Sequence, residues 1–232
     1  MGNRRRDVQI LLGKCSCDLP VMQAEYESSL AEKSIPDSLR IKLKSFFENL
    51  RSVLDYLAHD ISDTHCGGKT KSSRLYFPIV QDRPSFAGQM SRWFPGLEKK
   101  APGLWKYLES IQPYNGSEYE WLGLLNKVNN ENKHKALVEQ IRTSTQRVNV
   151  RTQSGGTVNW SRNNVRFGKG VFIGGVPIDA RTQLPVPSPT QQVTIQEWVD
   201  FRFEGIDVSA LGLCKASLAG VIRISETLEK WL

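Results

Sequence analysis

SLRIKLKSFFENLRSVLDYLAHDI, residues 38–61, places Leu39, Leu43, Phe46, Leu50, Leu54, Leu57 and Ile61 at steps of three and four. That spacing predicts an amphipathic helix of about six turns with one apolar stripe. Pro36-Asp37-Ser38 opens it, and the polar run from Ser62 to Ser73, with Gly67-Gly68 inside it, ends it. Arg51, Asp55 and His59 fall at i, i+4 and i+8, off the stripe, and so form one polar row. A carboxylate beside a histidine can fix the ring's tautomer and raise its basicity. The same row also suits a solvated face carrying a salt bridge.

Toward the N-terminus, residues 1–18 read as a basic arm starting with Arg4-Arg5-Arg6, and helix begins near Pro20. Toward the C-terminus, Arg74–Ile79 is an extended apolar connection. Residues 81–103 carry Pro84, Pro95, Gly96, Pro102 and Gly103, the mark of loop with short helical pieces. Leu104–Ile111 is a short helix stopped at Gln112-Pro113-Tyr114-Asn115-Gly116. Ser117 then caps a helix predicted from about Glu118 to Ile141, with Glu120 completing a capping box. Trp121, Leu125, Val128 and Ala136 form its buried stripe, and Asn129 and Asn132 lie on that same stripe. A buried amide needs a hydrogen-bonding partner or a ligand. The alternative is that the helix breaks at Asn129-Asn130 into a turn. Asn132 leads into Lys133-His134-Lys135.

The period then changes from about 3.6 to 2. Arg147–Thr152 and Thr157–Ser161 alternate around Ser154-Gly155-Gly156, which predicts a β-hairpin. Val165–Ile173 and Val176–Ile178 supply further strand, Leu184–Pro189 is a stiff connector, and Val193–Phe203 alternates again. A final helix, Ser209–Leu232, is apolar along one side and must return to the first helices. The fold class is α+β, mainly α: a helical bundle with a small antiparallel β-sheet inserted before the C-terminal helix. Its boundaries are the arm at 1–18 and one domain at 19–232, with the β insertion at about 145–205.

Composition narrows the function classes. At 232 residues with 39% hydrophobic and 24% charged content, the chain has an ordinary globular make-up. It has no apolar run long enough to span a bilayer and no secretory leader at its start, so a cytosolic protein without membrane contact is expected. Cys15-Ser-Cys17 is spaced too tightly for the usual zinc pair, and sharing a zinc with His65-Cys66 is the weaker reading beside plain reduced thiols. No phosphate loop, dinucleotide fingerprint or His-Glu-x-x-His motif occurs, so neither cofactor nor metal is called for. The net charge is +7, and no acidic residue stands between Glu139 and Asp179. Arg142, Arg147, Arg151, Arg162, Arg166 and Lys169 lie in that gap. A one-signed field of this kind attracts polyanions such as RNA, or simply keeps the surface soluble.

Asn49–Ala58, Phe77-Pro78-Ile79, Gln112-Pro113-Tyr114 and Asn132–Lys135 together resemble a family of uncharacterised bacterial and phage proteins over about residues 40–140. More distantly, Arg51 and His59 on one helix resemble the HEPN ribonucleases, helical bundles that cut RNA with an Arg-x₄₋₆-His motif, usually as dimers. Here seven residues separate the pair. The resemblance implies a homodimer and a metal-independent endoribonuclease in phage defence or a toxin system. His59 or His134 would transfer the proton, Asp55 would orient it, and Arg51, Lys133 and Lys135 would hold phosphate. The alternative is a non-catalytic module that holds nucleic acid or a protein through Arg147, Arg151 and Arg166. A third reading is a small-ligand pocket around Asn129 and Asn132, lined by Tyr114 and Phe77.

Overall fold

The computed structural model describes residues 2–32, 35–68, 74–134, 140–161, 165–203 and 208–232. At 2–3, 30–32, 132–134, 140–147, 161 and 196–201 the description covers the backbone alone. The chain divides into two compact units, residues 1–140 with 203–232, and residues 141–202. Among the described residues it is mainly α, with seven helices and two small antiparallel three-stranded sheets.

In the first unit, α1 (Gly2–Glu32) and α2 (Asp37–Cys66) pack against each other. The α2 stripe is buried as its spacing predicts, from Leu39 through Leu43, Phe46, Leu50, Leu54 and Leu57 to Ile61. Gly67 ends the helix in the left-handed conformation, φ 63°, which brings the Gly68 N–H to the Ser62 carbonyl at 3.1 Å. Residues 1–18 are not an arm. They are the first half of α1, and Pro20 lies inside that helix rather than at its start. The buried positions Val8, Cys15, Met22 and Ser29 recur every seventh residue, joined by Tyr26. One buried residue per two turns is too thin a stripe to stand out among so many charges. Arg4 is not free for a partner either, since it donates to Asp60 (2.8 Å) and to Asp63 on α2.

The stretch 81–103 holds α3 (Arg83–Trp93) and α4 (Leu97–Lys100). Asp82 caps α3 by accepting the Ser85 N–H at 2.8 Å. Then come α5 (Pro102–Ser110), two 3-10 turns at Pro113–Asn115 and Ser117–Tyr119, and α6 (Glu120–His134). No side chain caps the turn at Ser117, so the predicted capping box is not formed there. Nor does the helix reach Ile141, because β1 has begun by Gln140. Ile141, Thr143 and Thr145 are β-branched, which favours strand over helix. The last helix, α7 (Ala210–Leu228), starts where Ser209 accepts the Gly212 N–H at 3.1 Å. It packs on α1, α2 and α6 and so returns to the first helices.

The second unit is built from β1 (Gln140–Thr152), β2 (Thr157–Ser161), β3 (Phe172–Ile173), β4 (Val176–Asp179), β5 (Leu184–Pro185) and β6 (Gln191–Phe203). One sheet has the order β2-β1-β6, the other β3-β4-β5. The hairpin pairs Val148 with Trp160 and Val150 with Val158. Val148, Val150, Trp160 and Ile178 form the core, with Phe167 edge-on to Trp160 at 5.1 Å between ring centres. Val165–Val171 is irregular rather than strand where described. Gln183 replaces the missing ladder: its side chain accepts the Phe167 N–H (2.7 Å) and donates to the Phe167 carbonyl (3.1 Å).

Candidate functional site

The polar row of α2 splits. Arg51 and Asp55 point inward, and His59 is exposed. Asp55 Oδ1 accepts the Phe77 N–H at 2.9 Å and lies 3.1 Å from Arg51 Nη2. The same Nη2 donates to the Phe77 carbonyl at 3.2 Å. One ion pair on the helix therefore satisfies both backbone groups of Phe77. Burial pushes the Arg51 guanidinium down from its ordinary pKa, and the Asp55 charge opposes that shift. Arg51 Nη1 is buried without a hydrogen-bond partner, and the guanidinium carbon stands 6.0 Å from the Tyr76 ring centre.

Gln112 holds the other end of the same segment. Its Oε1 accepts the Val80 N–H at 3.0 Å, and its Nε2 donates to the carbonyls of Pro78 (3.1 Å) and Leu108 (2.8 Å). Fully buried, it does for 78–80 what Arg51 and Asp55 do for Phe77. Three of the four motif blocks thus meet in one structure: α2 and Gln112, two residues past α5, clamp the Phe77-Pro78-Ile79 strap. From the sequence alone, Gln112 reads only as a helix stop. A glutamine directly after an apolar helix and before proline was the available signal.

No hydrogen bond or ion pair to His59 is found among the described residues. His134 and Asn132 lie in α6, but their side chains, like that of Lys133, fall outside the described residues, as does Lys135 altogether. The approach of the His59 and His134 imidazoles therefore lies outside the described residues too. Asn129 is buried, as its place on the stripe predicts, and its Oδ1 has no partner. The helix does not break there. Its neighbours in the buried row are Leu122, Leu125 and Val128, while Trp121 is half-buried. Tyr114 Oη is likewise buried without a partner.

His65 Nε2 is 2.9 Å from the Trp231 carbonyl, which can only accept, so that nitrogen carries the proton. No set of three or more His, Cys, Asp or Glu side chains suited to a metal ion occurs among the described residues. All four cysteines are free thiols. Burial pushes Cys15 up to about 12 and raises Cys66 and Cys214 as well, while Cys17 is exposed. Since the thiolate is the reactive form, Ellman's reagent at pH 8 is expected to titrate Cys17 at once and the others only after denaturation. A fast reaction of more than one thiol in the native protein would contradict this burial pattern.

In the second unit, eight Lys and Arg stand against three Asp and Glu. Asp179 is occupied by the N–H groups of Arg181 (2.7 Å) and Thr182 (3.3 Å). Arg151, Arg166 and Lys169 are exposed, and no ion pair to them is found among the described residues. The Arg147 side chain is outside them. Phe172 is 61% exposed, unusual for an aromatic of that size. A Cβ on Gly174 would meet Thr152 Cγ2 at 2.6 Å, and Gln191 donates to the Ile173 carbonyl. The turn after Phe172 thus lies against the residue that follows Arg151.

No known protein family, curated relative or solved structure matches the chain. No helix among the described residues is long and apolar enough to cross a membrane.

Proposed function

We propose that the protein binds a single strand of nucleic acid, RNA by first preference, through the basic face of its β unit. The carrying observation is the exposure of Arg151, Arg166 and Lys169, with no ion pair among the described residues, on a stretch free of acidic residues. Exposed cations of this kind gain by displacing counterions from phosphate. Phe172, exposed at the same end as Arg151, offers a ring on which a base can stack. Combined aromatic and cationic surface suits a strand whose bases are splayed out better than a duplex.

The ribonuclease reading asks more of the first unit. Arg51 and Asp55 already serve the Phe77 backbone, which leaves His59 as the exposed imidazole on α2. Within this proposal, catalysis rests on His59 and on His134 rather than on the ion pair.

Anisotropy with a labelled single-stranded RNA tests the binding. Neutralising Arg151, Arg166 and Lys169 together is expected to lower affinity more than tenfold and flatten the salt slope by about 2, at about 0.7 per phosphate contact. Phe172→Ala is expected to cost about 1–3 kcal/mol of binding, with the slope unchanged. Unaltered affinity in both variants would remove the basic face from RNA binding. RNA cleavage by the wild type that His59→Ala and His134→Ala leave intact would remove those histidines from the chemistry.

A further inference from the structure

A groove of about 490 Å³ opens between α1, α2 and α7, within the helical unit. Val8, Leu12, Leu57 and Ile222 supply apolar lining from all three helices. The volume falls within the usual range for small-molecule sites, and the space between bundle helices is a common place for them.

The charges on its wall are of unequal sign. Arg5 is the one cation among the described lining residues, against Asp60, Glu226 and Glu229. Two of these carboxylates are already neutralised. Asp60 takes the Arg4 guanidinium at 2.8 Å, and Glu229 lies 3.3 Å from Arg5. Counting Arg4 and its second partner Asp63 leaves two cations against four carboxylates. Glu226 is exposed on α7 and has no ion pair among the described residues. The wall is thus negative although the whole chain carries +7. An anionic guest would be repelled, and a neutral one would gain nothing from Glu226.

We propose that this groove binds a small organic cation: an apolar body between the helices, with an ammonium group facing Glu226. Such a ligand needs the opposite charge from the strand proposed for the β unit, so the two sites are independent.

Phenethylammonium, 2-phenylethanol and 3-phenylpropionate share a ring and differ in charge, and they are suitable probes. Amide chemical shifts of the full chain, followed by NMR at low salt, report both affinity and place. The amine is expected to bind at about millimolar strength, as a ligand of its size allows. It should move amides at 8–12, 57–64 and 222–229. The alcohol is expected to bind about fivefold more weakly, from one exposed charge pair, and the carboxylate more weakly still. Glu226→Gln should erase the preference for the amine over the alcohol. Glu226→Lys, at an exposed position, should make the carboxylate the better ligand than the amine. Equal affinity of amine and alcohol, shifts elsewhere in the chain, or no shifts with any probe would each overturn the proposal.

Discussion

Arg51→Met is expected to destabilise the helical unit by about 3–5 kcal/mol, read as a fall in the midpoint of urea unfolding. The cost comes from what is left behind. Asp55, about four-fifths buried, would lose the cation 3.1 Å away, and the Phe77 carbonyl would lose its donor. Removing one partner of a buried pair costs far more than breaking a surface pair. Asp55→Asn keeps an oxygen for the Phe77 N–H and is expected to cost less. The double variant Arg51→Met with Asp55→Leu should recover part of the loss, because it removes the buried carboxylate together with its Arg51 partner. The series also separates two roles for Arg51. A clamp residue moves the unfolding midpoint. A phosphate-holding residue would leave the midpoint almost unchanged and abolish RNA cleavage. The first outcome is expected, since both backbone groups of Phe77 depend on this pair.

Where a sequence pattern has a strong physical cause, it is readable here. The α2 stripe, the Gly67-Gly68 stop and the Val148–Trp160 hairpin follow from periodicity and turn chemistry, which act locally. What escaped is set by partners distant in the chain. Whether Arg51 faces water or Phe77 depends on a strap 26 residues away. Helical geometry shows that Arg51, Asp55 and His59 share a row, and cannot show that the neighbouring segment divides it. In α1 the buried residues are spaced by seven, and packing on α2 carries the helix through Pro20. A proline there removes one backbone hydrogen bond, a cost that tertiary burial can outweigh. The basic segment was legible because charge needs no folding to be counted. The exposed Phe172 beside it was not, because alternation alone does not say which strands end at the surface.

Gly220 gives the sharpest test of how the helices meet. A Cβ placed on it would overlap three atoms of the Trp121 indole, so α7 approaches α6 there because this residue has no side chain. In an ordinary helix interior, Gly→Ala stabilises by about 1 kcal/mol, since alanine loses less backbone entropy on folding. Overpacking a close contact costs about 1–3 kcal/mol and more for larger groups. The two effects have opposite signs here, and the overlap is severe enough for packing to win. Gly220→Ala is therefore expected to lose about 1–2 kcal/mol net. Gly220→Val, with a branched Cβ and no gain in helix propensity over alanine, is expected to lose about 3 kcal/mol or more. Trimming the indole should reverse the sign: in a Trp121→Ala background, Gly220→Ala is expected to stabilise the protein. Urea unfolding of the four-member cycle measures the coupling directly. If Gly220→Ala raised the midpoint with Trp121 in place, the indole would have room to move, and α6 and α7 would not be in close contact at this position.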